Sequence, residues 1–397
     1  MNKSTTTIVS LLIVFGVIAA MGVACKGSSN SVTDPNPQEP PPEDSTDVTG
    51  PKKFNYIYES GMAGYHCFRI PAIVKTTDGT LLAFAEARKN NCSDEDNIDL
   101  VVRRSTDGGE TWGKMILVWS DGENTSGNPA PVVDKNTGRV HLLMTWNLGE
   151  DDIGEINRGT SEDTRRVFYT WSDDDGLSWE EPEEITSSVK KPHWGWYATG
   201  PVHGIQISQG EHKGRLVIAC DYIEVGPNRE GYSHVIYSDD GGKTWNLGGV
   251  APYPGANEST VAELSDGRLM LNMRSGDPAR LVSTSDDGGE SWDEVSLDYE
   301  LKEPTSQGSL LSFEVDGSHA LLFSNPASSA ERINMTIKMS VDDGENWSQS
   351  YTVHKGPSAY SDIVMVSDEE VGILYEGGKD NPYEGISFEV IPLDKIN

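Results

Sequence analysis

The chain lacks any long run of apolar residues at helical spacing in its body, has few cysteines, and is short of positive charge. The missing helical pattern, with 41 glycines and 10 tryptophans in 397 residues, favours many short strands joined by tight turns. Of the 4 cysteines, Cys25 directly follows a leader-like stretch, and the remaining Cys67, Cys92 and Cys220 allow one disulfide at most, so this is no disulfide scaffold. Whether Cys67 and Cys92 pair is open from sequence; Cys220, in an apolar run, reads as a buried thiol. Lys and Arg number 31 against 63 Asp and Glu, a net charge of −32. That balance argues against nucleic acid and against attachment to anionic lipid through a basic patch. Salt limits long-range repulsion to about 8 Å, so an anionic small substrate remains admissible where the sign is locally reversed. His193 and His203 have no partners at metal-ligand spacing, and no metal or other cofactor is expected.

Residues 1–24 carry Lys3, an apolar stretch from Ile8 to Val23 and small residues before Cys25, the layout of a signal peptide. Gly22-Val23-Ala24-Cys25 resembles a bacterial lipobox, although a larger aliphatic residue is usual where Gly22 stands. The expectation is a lipidated Cys25, a Pro-, Ser- and acid-rich tether over residues 25–53, and a chain anchored at the bacterial cell envelope or surface, with plain secretion as the alternative. Residues 54–397 form the folded domain, expected as a monomer.

Two repeats organise that domain. Ser105-Thr106-Asp107-Gly108-Gly109-Glu110-Thr111-Trp112 recurs at Ser172–Trp179, Ser238–Trp245, Ser285–Trp292 and Ser340–Trp347. Ser and Asp side chains bond nearby amides, Gly supplies positive φ and Trp pins the hairpin, so these are turns. None of the copies keeps the ligand spacing of a calcium loop. The second repeat is a turn glycine followed by an apolar strand, at Gly79, Gly138, Gly214, Gly267, Gly317 and Gly372. Each interval accommodates four strands, and the architecture implied is an all-β, six-bladed propeller, with residues around Phe54 to Tyr58 completing the last blade.

In an up-and-down blade the glycine turn and the Trp turn lie on one side of the disk. The start of strand one, the end of strand two and the loop from strand two to strand three then share the other side. This gathers Arg69, Asn128, Pro201, Glu258, Gln307 and Tyr360 with Arg88, Trp146, Tyr222, Arg274, Asn325 and Glu376, and with Asp94 and Arg332 from loops. Clustered arginines facing carboxylates suit an anionic substrate, while structural ion pairs remain the plain alternative for any single arginine.

Phe68-Arg69-Ile70-Pro71, the five Trp turns and the later Arg and Tyr positions resemble the bacterial sialidase, or exo-α-neuraminidase, family over residues 54–397. The resemblance implies an arginine triad of Arg69, Arg274 and Arg332 for the substrate carboxylate, with Glu376 holding the first arginine. It implies Arg88 lining the pocket near the sugar's O4, Asn128 at the ring substituents, and Asp94 as acid/base. Asp96 and Asp99 are nearby competitors for that last role, with spacing after Arg88 favouring Asp94. Tyr360 matches the nucleophile and Glu258 its base. A phenol avoids the repulsion that a carboxylate nucleophile meets at a carbon bearing a carboxylate, and its ordinary pKa near 10 calls for a base. Trp146, Trp194, Trp196 and Tyr222 are candidates for the wall beside the N-acyl group or aglycone. The activity implied is hydrolysis of terminal sialic acids from glycoconjugates with retention. The alternatives are a trans-sialidase and a non-catalytic sialoglycan-binding propeller; the latter would have no use for Asp94, Glu258 and Tyr360 together.

Overall fold

A computed structural model describes residues 54–315 and 317–396, and the expectations for residues 1–53 (leader, Cys25 and tether) lie outside it. The described fold is all-β. Its helical pieces are two short α-helices, Ile153–Arg158 and Thr186–Val189, and two single turns of tighter helix.

Strands pair antiparallel within six successive groups that make up four hydrogen-bonded sheets, because a parallel bridge from Ile98 to Thr125 joins the first two groups and one long strand joins the last two. The first joins Cys67–Lys75, Leu81–Arg88, Ile98–Ser105 and Ile116–Trp119. The second joins Thr125–Val133, Val140–Asn147, Arg166–Ser172 and Glu183–Glu184. The third runs Trp194–Thr199, Leu216–Glu224, Gly231–Ser238 and Asn246–Val250, and the fourth Ser259–Glu263, Leu269–Met273, Ala279–Ser285 and Ser296–Lys302. The fifth holds Ser309–Val315, Ser318–Pro326, Ile333–Ser340 and the first half of the long strand Gln349–Ser367. The second half of that strand opens the sixth group with Glu370–Gly377 and Gly385–Pro392, which Tyr56–Glu59 completes from the start of the domain.

Hydrophobic clusters sit between consecutive groups rather than within one. Leu82, Phe84 and Val102 of the first group meet Leu142 and Met144 of the second, and Leu143 and Tyr169 of the second meet Ile218 and Ile236 of the third. The sixth and first groups share a cluster as well, in which Leu374 and Phe388 pack with Ile73 and Leu81. Strands buried on both faces read as continuous apolar runs, which is why Leu81-Leu82-Ala83-Phe84-Ala85 shows no alternation.

The Trp turns have one chemistry. Ser105 Oγ donates to Asp107 at 2.7 Å and accepts from the Gly109 amide at 2.8 Å, while Asp107 accepts from the Thr111 amide at 3.0 Å. The same bonds recur around Asp174, Asp240, Asp287 and Asp342. In two copies Asp175 and Asp343 take the left-handed conformation that glycine takes in the others, with φ of 57° and 58°. Gly79, Gly138, Gly214, Gly267 and Gly317 all have positive φ, as their turns require.

Gly372 departs from the expected pattern. It is no turn residue but lies inside Glu370–Gly377, paired with Val364 and Val390. A Cβ there would come within 2.6 Å of the Phe388 ring, so glycine is required for close packing and not for φ.

Hydrogen bonds from Thr111 and Ser105 lower the Asp107 carboxyl to about 2 from its ordinary 3.8. A depressed carboxyl stabilises fully above its unfolded value and loses that contribution as pH falls through its folded value. Acid titration followed by circular dichroism should therefore show stability falling between pH 3.8 and 2, with a smaller fall for Asp107→Ala. An equal fall in both proteins would assign the loss elsewhere.

Candidate active site

Four of the groups have a register shift in their first strand, the third group between Trp194 and Tyr197 and three others beside the site. The register shifts between Arg69 and Ala72, between Gly127 and Ala130, and between Ser358 and Ser361. Bulges re-aim side chains, and these three carry Arg69, Asn128 and Tyr360. Within them Ile70 and Asn128 adopt φ of 57° and 50°, strained values for side chains. Glu376 pins the first by accepting from the Ile70 amide at 2.8 Å, and Glu86 pins the second by accepting from the Asn128 amide at 2.8 Å.

The side chains converge on Tyr360. Its hydroxyl donates to Glu258 Oε1 at 2.6 Å, and Arg274 Nη1 lies 3.0 Å from the same hydroxyl and 2.6 Å from Glu258 Oε2. The guanidinium carbons of Arg69 and Arg332 stand 5.1 and 5.6 Å from the Tyr360 ring centre. Glu376, fully buried, grips Arg69 through two bonds of 3.1 and 3.2 Å, fixing the direction of its remaining donors. Arg332 is steered by Tyr383 Oη at 3.2 Å and the Thr305 carbonyl at 2.9 Å. Burial, and next the Glu258 charge, push the Tyr360 phenol up, while Arg274, Arg69 and Arg332 pull it back. The phenol is thus neutral at ordinary pH, with its proton already directed at Glu258.

A cavity of about 210 Å³ opens beside Tyr360, lined by Glu258, Arg274, Arg88, Asp94 and Asn128 with Trp196, Ala198 and Ile223. A larger cavity of about 530 Å³ lies further along the same inner strands, around Val74, Ile205, Leu311 and Val364, and holds none of the arginines. The smaller cavity has the charge and the reactive groups.

Asp94 projects over this cavity with its side chain 60% exposed, 2.9 Å from Arg88 and 3.5 Å from Arg69. Burial works to raise its carboxyl, but Arg88 and then Arg69 outweigh it and hold Asp94 below the usual range. Its competitors have structural tasks. Asp96 ties Asn90 and Asn91 into the loop, and Asp99 accepts from Tyr65 Oη at 2.6 Å within the next strand. The Asp94 loop is held from both sides, because Arg88 Nη1 donates to the Cys92 carbonyl at 2.5 Å and Cys92 forms a disulfide with Cys67. Cys67 is paired with Arg88 across the strands. Cys220 is a buried free thiol.

Of the proposed aromatic wall, Trp196 alone lines the cavity. Trp194 stacks on Tyr222 at 3.6 Å between ring centres, within the core shared by the second and third groups. Trp146 turns outward, its indole donating to Asp121 at 2.7 Å. Three charged cavity residues, Glu86, Arg165 and Asp221, escaped the sequence reading. Glu86 accepts both Arg88 Nε at 3.0 Å and the Asn128 amide, so one carboxylate sets two neighbours. Arg165, 1% exposed, donates to Tyr197 O, Asn147 Oδ1 and Asn128 Oδ1 at 2.9, 2.5 and 2.5 Å and lies 3.8 Å over the Trp196 ring. Burial lowers its pKa to about 10. Arg165 sits in a loop from a second to a third strand, the position that marked Asp94 and Arg332, so the same parity rule would have found it. Among the described residues no group of three His, Cys, Asp or Glu is placed to hold a metal ion.

Residues 79–375 match the model of the BNR repeat-like domain. The chain is 34% identical to a sialidase of Micromonospora viridifaciens, over 80% of this chain and 51% of that protein. It is 36% identical to a sialidase of Bacteroides fragilis, over 83% of this chain and 62% of that protein. A solved Hadza microbial sialidase superposes with a TM-score of 0.78 at 33% identity, covering 86% of this chain and 69% of that one. The chain belongs to the sialidase family. It spans between half and two thirds of the length of the two curated relatives.

For this sialidase-family chain the disulfide is the covalent link between the strand carrying Arg69 and the loop carrying Asp94, beside the Arg69–Asp94 ion pair. Reduction, or Cys92→Ser, should raise amide hydrogen exchange over residues 89–97 at least tenfold while leaving the Trp turns unchanged. Equal protection in the reduced protein would show that Arg88 holds the loop unaided.

Proposed function

We propose that the chain is an exo-α-sialidase, a glycoside hydrolase that releases terminal sialic acids from glycoconjugates with retention through a glycosyl-tyrosine. The observation that carries this reading is the 2.6 Å bond from Tyr360 Oη to Glu258, with Arg274 at 3.0 Å from the same oxygen. Arg69, Arg274 and Arg332 bind the substrate carboxylate and place the anomeric carbon before Tyr360. In the first half-reaction the tyrosyl oxygen bonds to that carbon, its proton passes to Glu258, and the glycosidic bond breaks as Asp94 gives a proton to the leaving oxygen. In the second, Asp94 takes a proton from water, the water oxygen bonds to the anomeric carbon, and the departing tyrosyl oxygen recovers its proton from Glu258. Arg88 and Asn128 face the ring substituents, and Glu376 keeps Arg69 in register.

The framework in this reading is a six-bladed propeller over residues 54–397. Supporting it, the first strands of neighbouring groups touch at most steps, Leu216–Glu224 meets Ser259–Glu263 between the third and fourth, and the strand at 349–367 returns to touch Cys67–Lys75. The export reading, with lipid attachment at Cys25 and residues 25–53 as tether, belongs to the same proposal and rests on the sequence pattern.

Tyr360→Phe should lower kcat by on the order of 10³-fold while substrate still binds. With an aryl α-sialoside, proton NMR should show the α-anomer as the first sugar released from the unaltered protein. A first-formed β-anomer, or full activity in Tyr360→Phe, would remove the tyrosyl route. Arg88→Gln deletes a charge that holds Asp94 low, so the carboxyl stays protonated to higher pH. The alkaline limb of kcat/KM for a natural sialoside should then move upward, and an unmoved limb would take the acid role from Asp94.

A further inference from the structure

Beneath Glu258 lies a second carboxyl that the reaction above does not use. Asp221 is 1% exposed, near the end of Leu216–Glu224, and lines the same cavity as Glu258, Arg274 and Tyr360. Its contacts are sparse. The Asn257 side-chain amide reaches Oδ2 at 3.4 Å, and Oδ1 has no hydrogen-bond partner. Among the described residues no Lys, Arg or His is ion-paired with it, and Arg274 pairs with Glu258 at 2.6 Å. The groups facing it from each side are known. Asn257 and Glu258 come from the loop before Ser259–Glu263, Arg274 from the end of Leu269–Met273, and Arg165 from the loop before Arg166–Ser172. Ala198 and Ser233 are its neighbours across the two adjoining strands. A carboxylate that is buried, almost unbonded and next to another carboxylate is strongly disfavoured relative to the neutral acid. Burial first, and then the Glu258 charge, push the Asp221 carboxyl well above the carboxylate range, with Arg274 and Arg165 opposing too weakly to restore it.

We propose that Asp221 is a positioning residue that serves the nucleophile as an uncharged acid beneath Glu258, leaving Arg274 a single carboxylate to balance. The consequence is specific. While Asp221 is neutral, the charge beside Glu258 and Tyr360 is that of Arg274. When Asp221 ionises, a further negative charge enters the same cavity. It disfavours a deprotonated Tyr360 and cancels part of the arginine charge that attracts the substrate carboxylate. Activity therefore falls at high pH for a reason separate from Asp94.

This inference rests on the sialidase reading, and its test separates the two. An activated aryl α-sialoside, whose leaving group needs no proton, takes Asp94 out of the first half-reaction. Its kcat/KM profile should have an alkaline limb that moves up by about one pH unit or more in Asp221→Asn. An unmoved limb overturns the proposal. Infrared titration of the unaltered protein supplies a second arm that needs no turnover. It should show a protonated-carboxyl band at neutral pH that is missing from Asp221→Asn or from Asp221→Ser, whichever folds. A neutral-pH spectrum without that band overturns the proposal too. Failure of the unaltered protein to cleave any sialoside would count against the reaction, while the infrared band would still decide the state of Asp221.

Discussion

The hydrogen bond from Tyr360 to Glu258 is the constraint on which the rest of the site depends. A phenol is a poor nucleophile with its proton on, and burial makes that proton harder to remove. Three arginines around the ring oppose the penalty, and one of them, Arg274, bonds both the phenol and its carboxylate partner. The arrangement works only if strands more than a hundred residues apart in the chain are rigidly registered, since Glu258 and Tyr360 are separated by 102 positions. Bulges in the first strands and hydrophobic clusters between consecutive strand groups provide that registration.

The site also answers the problem posed by a net charge of −32. The cavity collects Arg88, Arg165 and Arg274, with Arg69 and Arg332 at its edge, against Glu86, Asp94, Asp221 and Glu258. Each buried guanidinium has fixed acceptors. Glu376 holds Arg69, Glu86 holds Arg88, and neutral carbonyls and amides hold Arg165. Those partners set the orientation of the arginines: Arg69 and Arg88 each face a carboxylate, while Arg165 is held by hydrogen bonds alone.

Much of this was legible from residue order. The Trp turns marked the ends of third strands, five of the six turn glycines sit where φ is positive, and strand parity brought Arg69, Arg274, Arg332, Asp94, Glu258 and Tyr360 to one region. Arg165 lies in a loop of the same kind as Asp94 and Arg332, so strand parity reaches it too. What parity does not reach is packing. Gly372 is a glycine because Phe388 needs the space, and Trp194 and Tyr222 stack on each other instead of facing a ligand. Whether Cys67 and Cys92 meet, and that Glu86 sets both Arg88 and Asn128, depends on side-chain distances that spacing alone does not fix. Asp221 carries no signal in the sequence, because what sets it apart is its burial beside Glu258 with one carboxyl oxygen unbonded.

Covalent capture tests the central claim most directly. Incubation with a sialosyl fluoride bearing fluorine at carbon 3 slows both half-reactions, and peptide mass spectrometry then locates the sugar. The account predicts a single adduct on the peptide containing Tyr360, lost in Tyr360→Phe. An adduct on Glu258 or Asp94, or turnover with no adduct on any residue, would contradict it.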